Sequence, residues 1–282
     1  MTLEITIKEA SQLLKNHNIS SHELDAEIIL SNIMGIKRET LILNNNISVS
    51  KKILEKYKLA IKRRIKKEPV AYITGKKEFW SQDFVVSNAT LVPRPETELI
   101  IYKIVDFFKN KRVSVLDIGT GTGCILLSIL KELDFARGIG IDISKKAVQT
   151  ARINSKNLKL EQRSKFKVFD IANFNVGKYD LIVSNPPYIP SNEIKNLSKD
   201  IRNHEPLLAL RGGVDGLDLL KKVIYKSGSL LKKNGLLAIE IGNQQYLKVL
   251  NILKQQNFRE ISKEYDYNNN VRCIISTKIW YF

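Results

Sequence analysis

From residue 113 onward, short apolar runs alternate with helical stretches, and nothing else in the chain restricts its fold so tightly. "VSVLDIG" (113–119), "GIGIDIS" (138–144), "KFKVFD" (165–170), "YDLIVSN" (179–185) and "GLLAIEIG" (235–242) read as strands. Helical stretches separate or follow them near 124–133, 145–156, 215–234 and 244–256. Such alternation predicts an open, mostly parallel sheet covered by helices on both faces. Segments near 258–265 and 271–278 fit an antiparallel pair at its edge, giving seven strands. In sheets of this kind ligands collect beyond the carboxyl ends of the strands. Residues 117–123, 142, 170 and 185–188 are therefore the positions to inspect.

The first 70 residues show helical periodicity only. Leu13, Leu14 and Ile19 close a first helix. Ser20 and Glu23 form a capping box that opens a second, with Leu24, Ile28, Ile29 and Ile33 on one face. A third, near 51–66, carries an apolar stripe of Ile53, Leu54, Tyr57, Leu59 and Ile61. The expected organisation is a helical N-terminal domain (1–70), a linker (71–94) and an α/β domain (95–282). Within the linker, Tyr72–Thr74 and Asp83–Val86 read as a short hairpin.

Composition narrows the function classes. No apolar run approaches the length of a membrane span, and Glu4 and Glu9 interrupt the start, so no signal peptide is expected. The two cysteines, Cys124 and Cys273, and three scattered histidines offer no disulfide framework and no metal-type spacing. The expectation is a cytoplasmic, monomeric protein without a structural metal. A formal net charge of +17 raises the question of nucleic acid. The densest basic segment, 51–67, holds nine basic residues and one acid, Glu55. It reads either as a solvated helical face or as one that meets RNA or the ribosome.

The strand ends carry the chemistry. After the first strand come Asp117, Gly119, Thr120, Gly121, Thr122 and Gly123. Glycines there permit a sharp turn and close backbone approach to a ligand. A dinucleotide fingerprint needs a third glycine one residue later, where Cys124 stands. The pattern present, Asp-x-Gly-x-Gly-x-Gly, is that of S-adenosylmethionine sites, whose ammonium and sulfonium favour a nearby acid. Asp142, at the second strand's end, suits ribose hydroxyls. Asp170 at the third suits an adenine amino group, with Ile171 covering the ring.

The fourth strand ends in Asn185-Pro186-Pro187-Tyr188. Two prolines remove backbone donors and leave nearby carbonyls free to accept. Asn185 adds a side-chain acceptor and Tyr188 a flat face. Together they form a clamp for a planar NH2 group, whether amide or aromatic amine. Two acceptors that draw its hydrogens out of plane localise the nitrogen lone pair and aim it at a methyl group.

With these residues the sequence resembles the HemK/PrmC family, the protein-(glutamine-N5) methyltransferases of peptide chain release factors. The likeness rests on "LDAEIIL", "PVAYITGKKEFW", "LVPRPETE", "DIGTGTGC", "SNPPYIP", "HEPLLALRGGVDGLD" and "EIGNQQ" and covers nearly the whole chain. It implies a Rossmann-like class I methyltransferase domain behind a small helical bundle that grips the protein substrate. It implies that Gly119–Gly123, Asp142, Asp170, Ile171 and Asn185 hold S-adenosylmethionine, and that Asn185–Tyr188 hold the glutamine of a Gly-Gly-Gln loop. Glu96 either lies near the methionine end of the cofactor or merely opens a helix. Arg211, Gly212 and Gly213 either shape a loop or touch substrate, and Glu240 is expected to be structural. Two other readings compete: a nucleic-acid amino methyltransferase with the same clamp, and a non-catalytic binding module.

Overall fold

The computed structural model describes residues 1–44 and 46–280. It divides into two compact units, Met1–Lys76 with Ser198–His204, and Lys77–Leu197 with the chain from Glu205 onward.

The first unit contains α1 (Leu3–Asn16), α2 (His22–Met34), α3 (Arg38–Leu43), α4 (Lys51–Ile65) and α5 (Val70–Thr74). They close on a core that includes Leu3, Leu14, Ile29, Leu30, Leu41, Tyr57 and Ile61. Ser50 caps α4, and the Tyr57 hydroxyl donates to the Ala26 carbonyl at 3.0 Å. Several local expectations are corrected. Ile19 lies beyond α1, after a left-handed turn at Asn18 (φ 56°), though it still packs in the core. The N-cap of α2 is Ser21, not Ser20; its hydroxyl donates to Asp25 instead of capping backbone. Leu24 and Leu59 point outward, Leu59 being 63% exposed. Residues 72–74 are helical: Pro69 starts a single turn and Gly75, at φ 76°, stops it.

The 71–94 segment is thus shared between the units, with α5 in the first. The hairpin consists of β1 (Lys76–Phe79) and β2 (Gln82–Val85), joined through left-handed Trp80 and Ser81. Residues 198–204, which contain the short helix α9 (Lys199–His204), count with the first unit. There Arg64 binds Asp25 and Asp200, each at 2.6 Å.

The second unit runs α6 (Glu98–Phe108), β3 (Ser114–Ile118), α7 (Cys124–Glu132), β4 (Arg137–Asp142), α8 (Lys145–Asn157), β5 (Ser164–Val168) and β6 (Tyr179–Ser184). Then come α10 (Leu207–Leu210), α11 (Asp218–Leu230), β7 (Leu231–Glu240), α12 (Tyr246–Gln255), β8 (Phe258–Tyr265) and β9 (Val271–Lys278). The sheet order is β5-β4-β3-β6-β7-β9-β8, with the first five strands parallel and β9 antiparallel to both its neighbours. All seven expected strands are present. Val115, Leu181, Val183 and Ala238 enter one core, while Leu116, Ile182, Leu237 and Ile239 enter the other. Side chains of a strand alternate between faces, so two covered faces require unbroken apolar runs. The chain winds outward from β3 to β5, then returns to lay β6 on the other side of β3. That reversal opens a crevice above β3 and β6.

Candidate functional site

A cleft of about 790 Å³ occupies the crevice. Its floor is the turn between β3 and α7, where Gly119, Gly121 and Gly123 all have positive φ. A Cβ at Gly119 meets nothing within 4 Å, so the backbone itself is the cleft wall there. The Gly119 and Thr120 amides donate to the Ile141 carbonyl, at 2.9 and 3.0 Å, fastening the turn to the end of β4. Asp142 completes that fastening: its carboxylate accepts from Gly121 N at 3.0 Å and Ser144 N at 2.9 Å.

Among the residues expected to hold a cofactor, Gly119–Thr122, Asp142, Asp170, Ile171 and Asn185 line the cleft. Ile171 reaches it from the core, and Asp170 caps a short turn by accepting from Ala172 N. Asp117 and Gly123 lie behind the lining. Asp117 is fully buried; one oxygen accepts from Thr120 Oγ1 at 2.6 Å, and the other has no partner among the described residues. Burial pushes its carboxyl up to about 7, with Asp142 adding to the shift. Asp142 is also raised by burial. The site thus concentrates carboxylate character that a bound cation relieves.

The clamp motif follows β6. Asn185 and Pro187 line the cleft, while Pro186 is buried and Tyr188 half-buried behind it. The Tyr188 carbonyl accepts from Gln245 Nε2 at 2.9 Å, and the Ile189 carbonyl from Gly212 N at 2.8 Å. Asn185 Nδ2 donates to Thr97 Oγ1 at 3.1 Å, and Thr97 donates to Glu240 Oε2 at 2.6 Å. The Tyr188 hydroxyl donates to Glu240 Oε1 at 3.3 Å. Glu240 is buried and pushed up to about 7 by that burial; Tyr188 is raised for the same reason and by Glu240's charge.

The open positions are now placed. Glu96 is exposed and outside the lining; its neighbour Thr97 is the member of that segment in the cleft wall. Gly212 and Gly216 shape a loop. Their Cβ positions fall 2.7 Å from the Pro187 carbonyl oxygen and 2.3 Å from that of Tyr188, so only glycine lets this turn press on the clamp. Arg211 lines the cleft with its Nε on Ser191 Oγ. Arg94 binds buried Glu205, tying the 91–98 segment to the 204–218 segment. The sequence reading missed Thr97 and two apolar wall residues, Ile143 and Phe169. Phe169 is 38% exposed yet held edge-on by Phe174, with ring centroids 5.3 Å apart. An apolar residue beside a strand-end acid was the available signal for both.

Comparison with known proteins bears on this geometry. Residues 6–75 match the PrmC N-terminal domain and residues 109–281 a methyltransferase domain. The release factor glutamine methyltransferase of Clostridium acetobutylicum is 35% identical, over 99% of both chains. The chain belongs to the release factor glutamine methyltransferase family. Another member, from Buchnera aphidicola subsp. Schizaphis graminum, is 38% identical over 99% of this chain and all of its own. The methyltransferase fold is shared more widely. A ribosomal protein L11 methylase from Lactobacillus delbrueckii subsp. bulgaricus superposes with a TM-score of 0.51 at 18% identity, covering 68% of this chain and 83% of that one. Among the described residues no helix is long and apolar enough to cross a membrane, and no cluster of acids, histidines or cysteines suits a metal ion.

Proposed function

We propose that the protein transfers a methyl group from S-adenosylmethionine to the side-chain amide nitrogen of the Gly-Gly-Gln glutamine in peptide chain release factors, modulating translation termination. One observation carries this reading: Asn185 stands in the cleft wall with its NH2 bound internally to Thr97, which leaves its oxygen as the acceptor.

The cleft fits the cofactor. Its 790 Å³ exceeds what a nucleoside joined to an amino acid needs and leaves space for an incoming side chain. In this reading Asp142 takes the ribose hydroxyls, and Asp170 with the apolar Ile143, Phe169 and Ile171 surrounds the adenine. Asp117 beneath the turn favours a cationic ligand and disfavours a pyrophosphate. S-adenosylmethionine, when bound, supplies an electrophilic methyl group. The chain's own contribution is to orient the acceptor: Asn185 Oδ1 and the Pro186 carbonyl take the two amide hydrogens of the glutamine, and Tyr188 backs the clamp. Drawing those hydrogens out of plane localises the nitrogen lone pair, and alignment then supplies most of the rate gain. Once the new bond has made it acidic, the nitrogen loses its surplus proton to solvent water.

The same reading gives the exposed lysines of α4 (Lys51, Lys52, Lys56, Lys58 and Lys62) to an RNA surface such as the ribosome. Arg63 and Arg64 of that helix already bind carboxylates. RNA binding that falls steeply with salt, and weakens on charge reversal at Lys52 and Lys56, supports this contact; salt-insensitive binding removes it. The enzyme acts as a monomer in the cytoplasm, where release factors work. Labelled cofactor and a purified release factor test the main proposal. We expect one methyl group per factor, none when the Gly-Gly-Gln glutamine is replaced. Label persisting on that variant, or appearing only in nucleic acid, overturns it.

A further inference from the structure

Asn185 is useful to a substrate NH2 only if its own amide is turned the right way. An inverted amide presents NH2 to NH2, two donors facing each other. Nothing in the motif itself fixes this choice, since an asparagine's two ends have nearly the same shape. The neighbours do.

Glu240 ends β7 and is buried, with its two oxygens on different hydroxyls: Oε2 on Thr97 at 2.6 Å and Oε1 on Tyr188 at 3.3 Å. Once ionised, above about pH 7, Glu240 can only accept. The Thr97 proton therefore points at Glu240, and Thr97 offers only lone pairs to Asn185, 3.1 Å away. Asn185 must answer with Nδ2, which leaves Oδ1 as the end free for a ligand. Thr97 is only 2% exposed, and the acceptor for its proton is Glu240. The direction of each hydrogen bond in the chain Asn185–Thr97–Glu240 follows from the one before it.

We propose that Thr97 and Glu240 are positioning residues that set the polarity of the clamp, acting on the substrate amide through the orientation of Asn185. This deepens the proposed function and rests on it for the identity of the substrate. It assigns a role to Thr97, where the sequence drew attention to Glu96, and explains why a costly buried carboxylate sits at the end of β7.

The test compares Thr97→Val, which keeps shape and loses the hydroxyl, with Thr97→Ser, which keeps the hydroxyl. In the full-length protein we expect Thr97→Val to lower kcat for a Gly-Gly-Gln release factor about 10–100-fold, the weight of one misdirected buried polar group. Cofactor affinity should change less than about twofold and Thr97→Ser should stay within about threefold of wild type, each below the cost of an unpaired buried polar group. A second readout needs no substrate. The side-chain NH2 resonances of Asn185 in ¹⁵N-labelled protein should be slow to exchange in wild type and Thr97→Ser, and fast in Thr97→Val. Equal kcat in Thr97→Val and wild type, equal losses in both variants, or Asn185 resonances unmoved by Thr97→Val overturn the proposal. If wild type methylates no release factor, the proposed function falls, and the resonances still decide the orientation.

Discussion

Replacing Gly216 with alanine tests whether the 212–216 turn holds the clamp in place. Gly216 has φ 75°, and an added Cβ falls 2.3 Å from the Tyr188 carbonyl oxygen and 2.7 Å from Gln245 Nε2. The left-handed conformation alone costs a non-glycine residue about 1–2 kcal/mol. Overpacking against backbone adds about 1–3 kcal/mol. The smaller entropy of the unfolded alanine variant returns about 0.4–1 kcal/mol. The net expectation is a loss of about 1–5 kcal/mol in the stability of the α/β unit. Relieving the overlap moves the two backbones apart by about 1 Å, and displacement of that size at a reacting centre costs on the order of 100-fold in rate. Gln245 donates to both Tyr188 O and Gly216 O, and Gly212 N donates to Ile189 O, so turn and clamp are pinned to one another and share the shift. Both tryptophans, Trp80 and Trp280, lie in this unit, so urea unfolding followed by tryptophan fluorescence reads its stability directly. Methyl transfer to a release factor reads the rate. A destabilised variant with wild-type kcat means that the turn yields alone; one unchanged in both means that the contact is not as tight as the geometry requires. Either result refutes the reasoning.

Asn185→Ala removes the clamp's side-chain acceptor, and kcat should fall about 100-fold or more in the labelled methyl-transfer assay; near wild-type turnover rules out the clamp. Arg64→Ala leaves Asp25 without its cationic partner and should cost the helical unit about 3–5 kcal/mol, measured by far-UV circular dichroism in urea; an unchanged midpoint contradicts that. Asp117 and Glu240 are each pushed up to about 7 by burial, from 3.8 and 4.5. The folded protein therefore binds more protons than the unfolded chain, and the stability these groups contribute at low pH is lost as pH rises through about 7. The Tm of the ligand-free protein should fall between about pH 5 and about pH 8, with Asp117→Asn flattening the fall, and a Tm that rises across this window refutes the assignment.

What the sequence disclosed, and what it hid, follows from how far each constraint reaches along the chain. The strands and the acids at their ends were legible because an apolar run and the residue closing it are neighbours. The clamp was legible because four consecutive residues define it. The link from Asn185 through Thr97 to Glu240 was not, since it spans 88 and then 143 residues. The helical unit shows a subtler failure. On α4 the buried residues Tyr57, Ala60, Ile61 and Arg64 are spaced three and four apart, one face of a helix, while Leu59 lies off that face. On α2 Asp25 is buried beside Ala26, Ile29 and Leu30, while Leu24 is not. Judging by residue type selected Leu24 and Leu59; judging by position selects Asp25 and Arg64. Those two are the partners of one ion pair, 2.6 Å apart, with side chains only 7% and 8% exposed. Two opposite charges occupying stripe positions on separate amphipathic helices of one bundle are buried at lower cost when they meet. Read that way, the charges that break the pattern in each helix give its register against the other, information that the apolar residues alone do not carry.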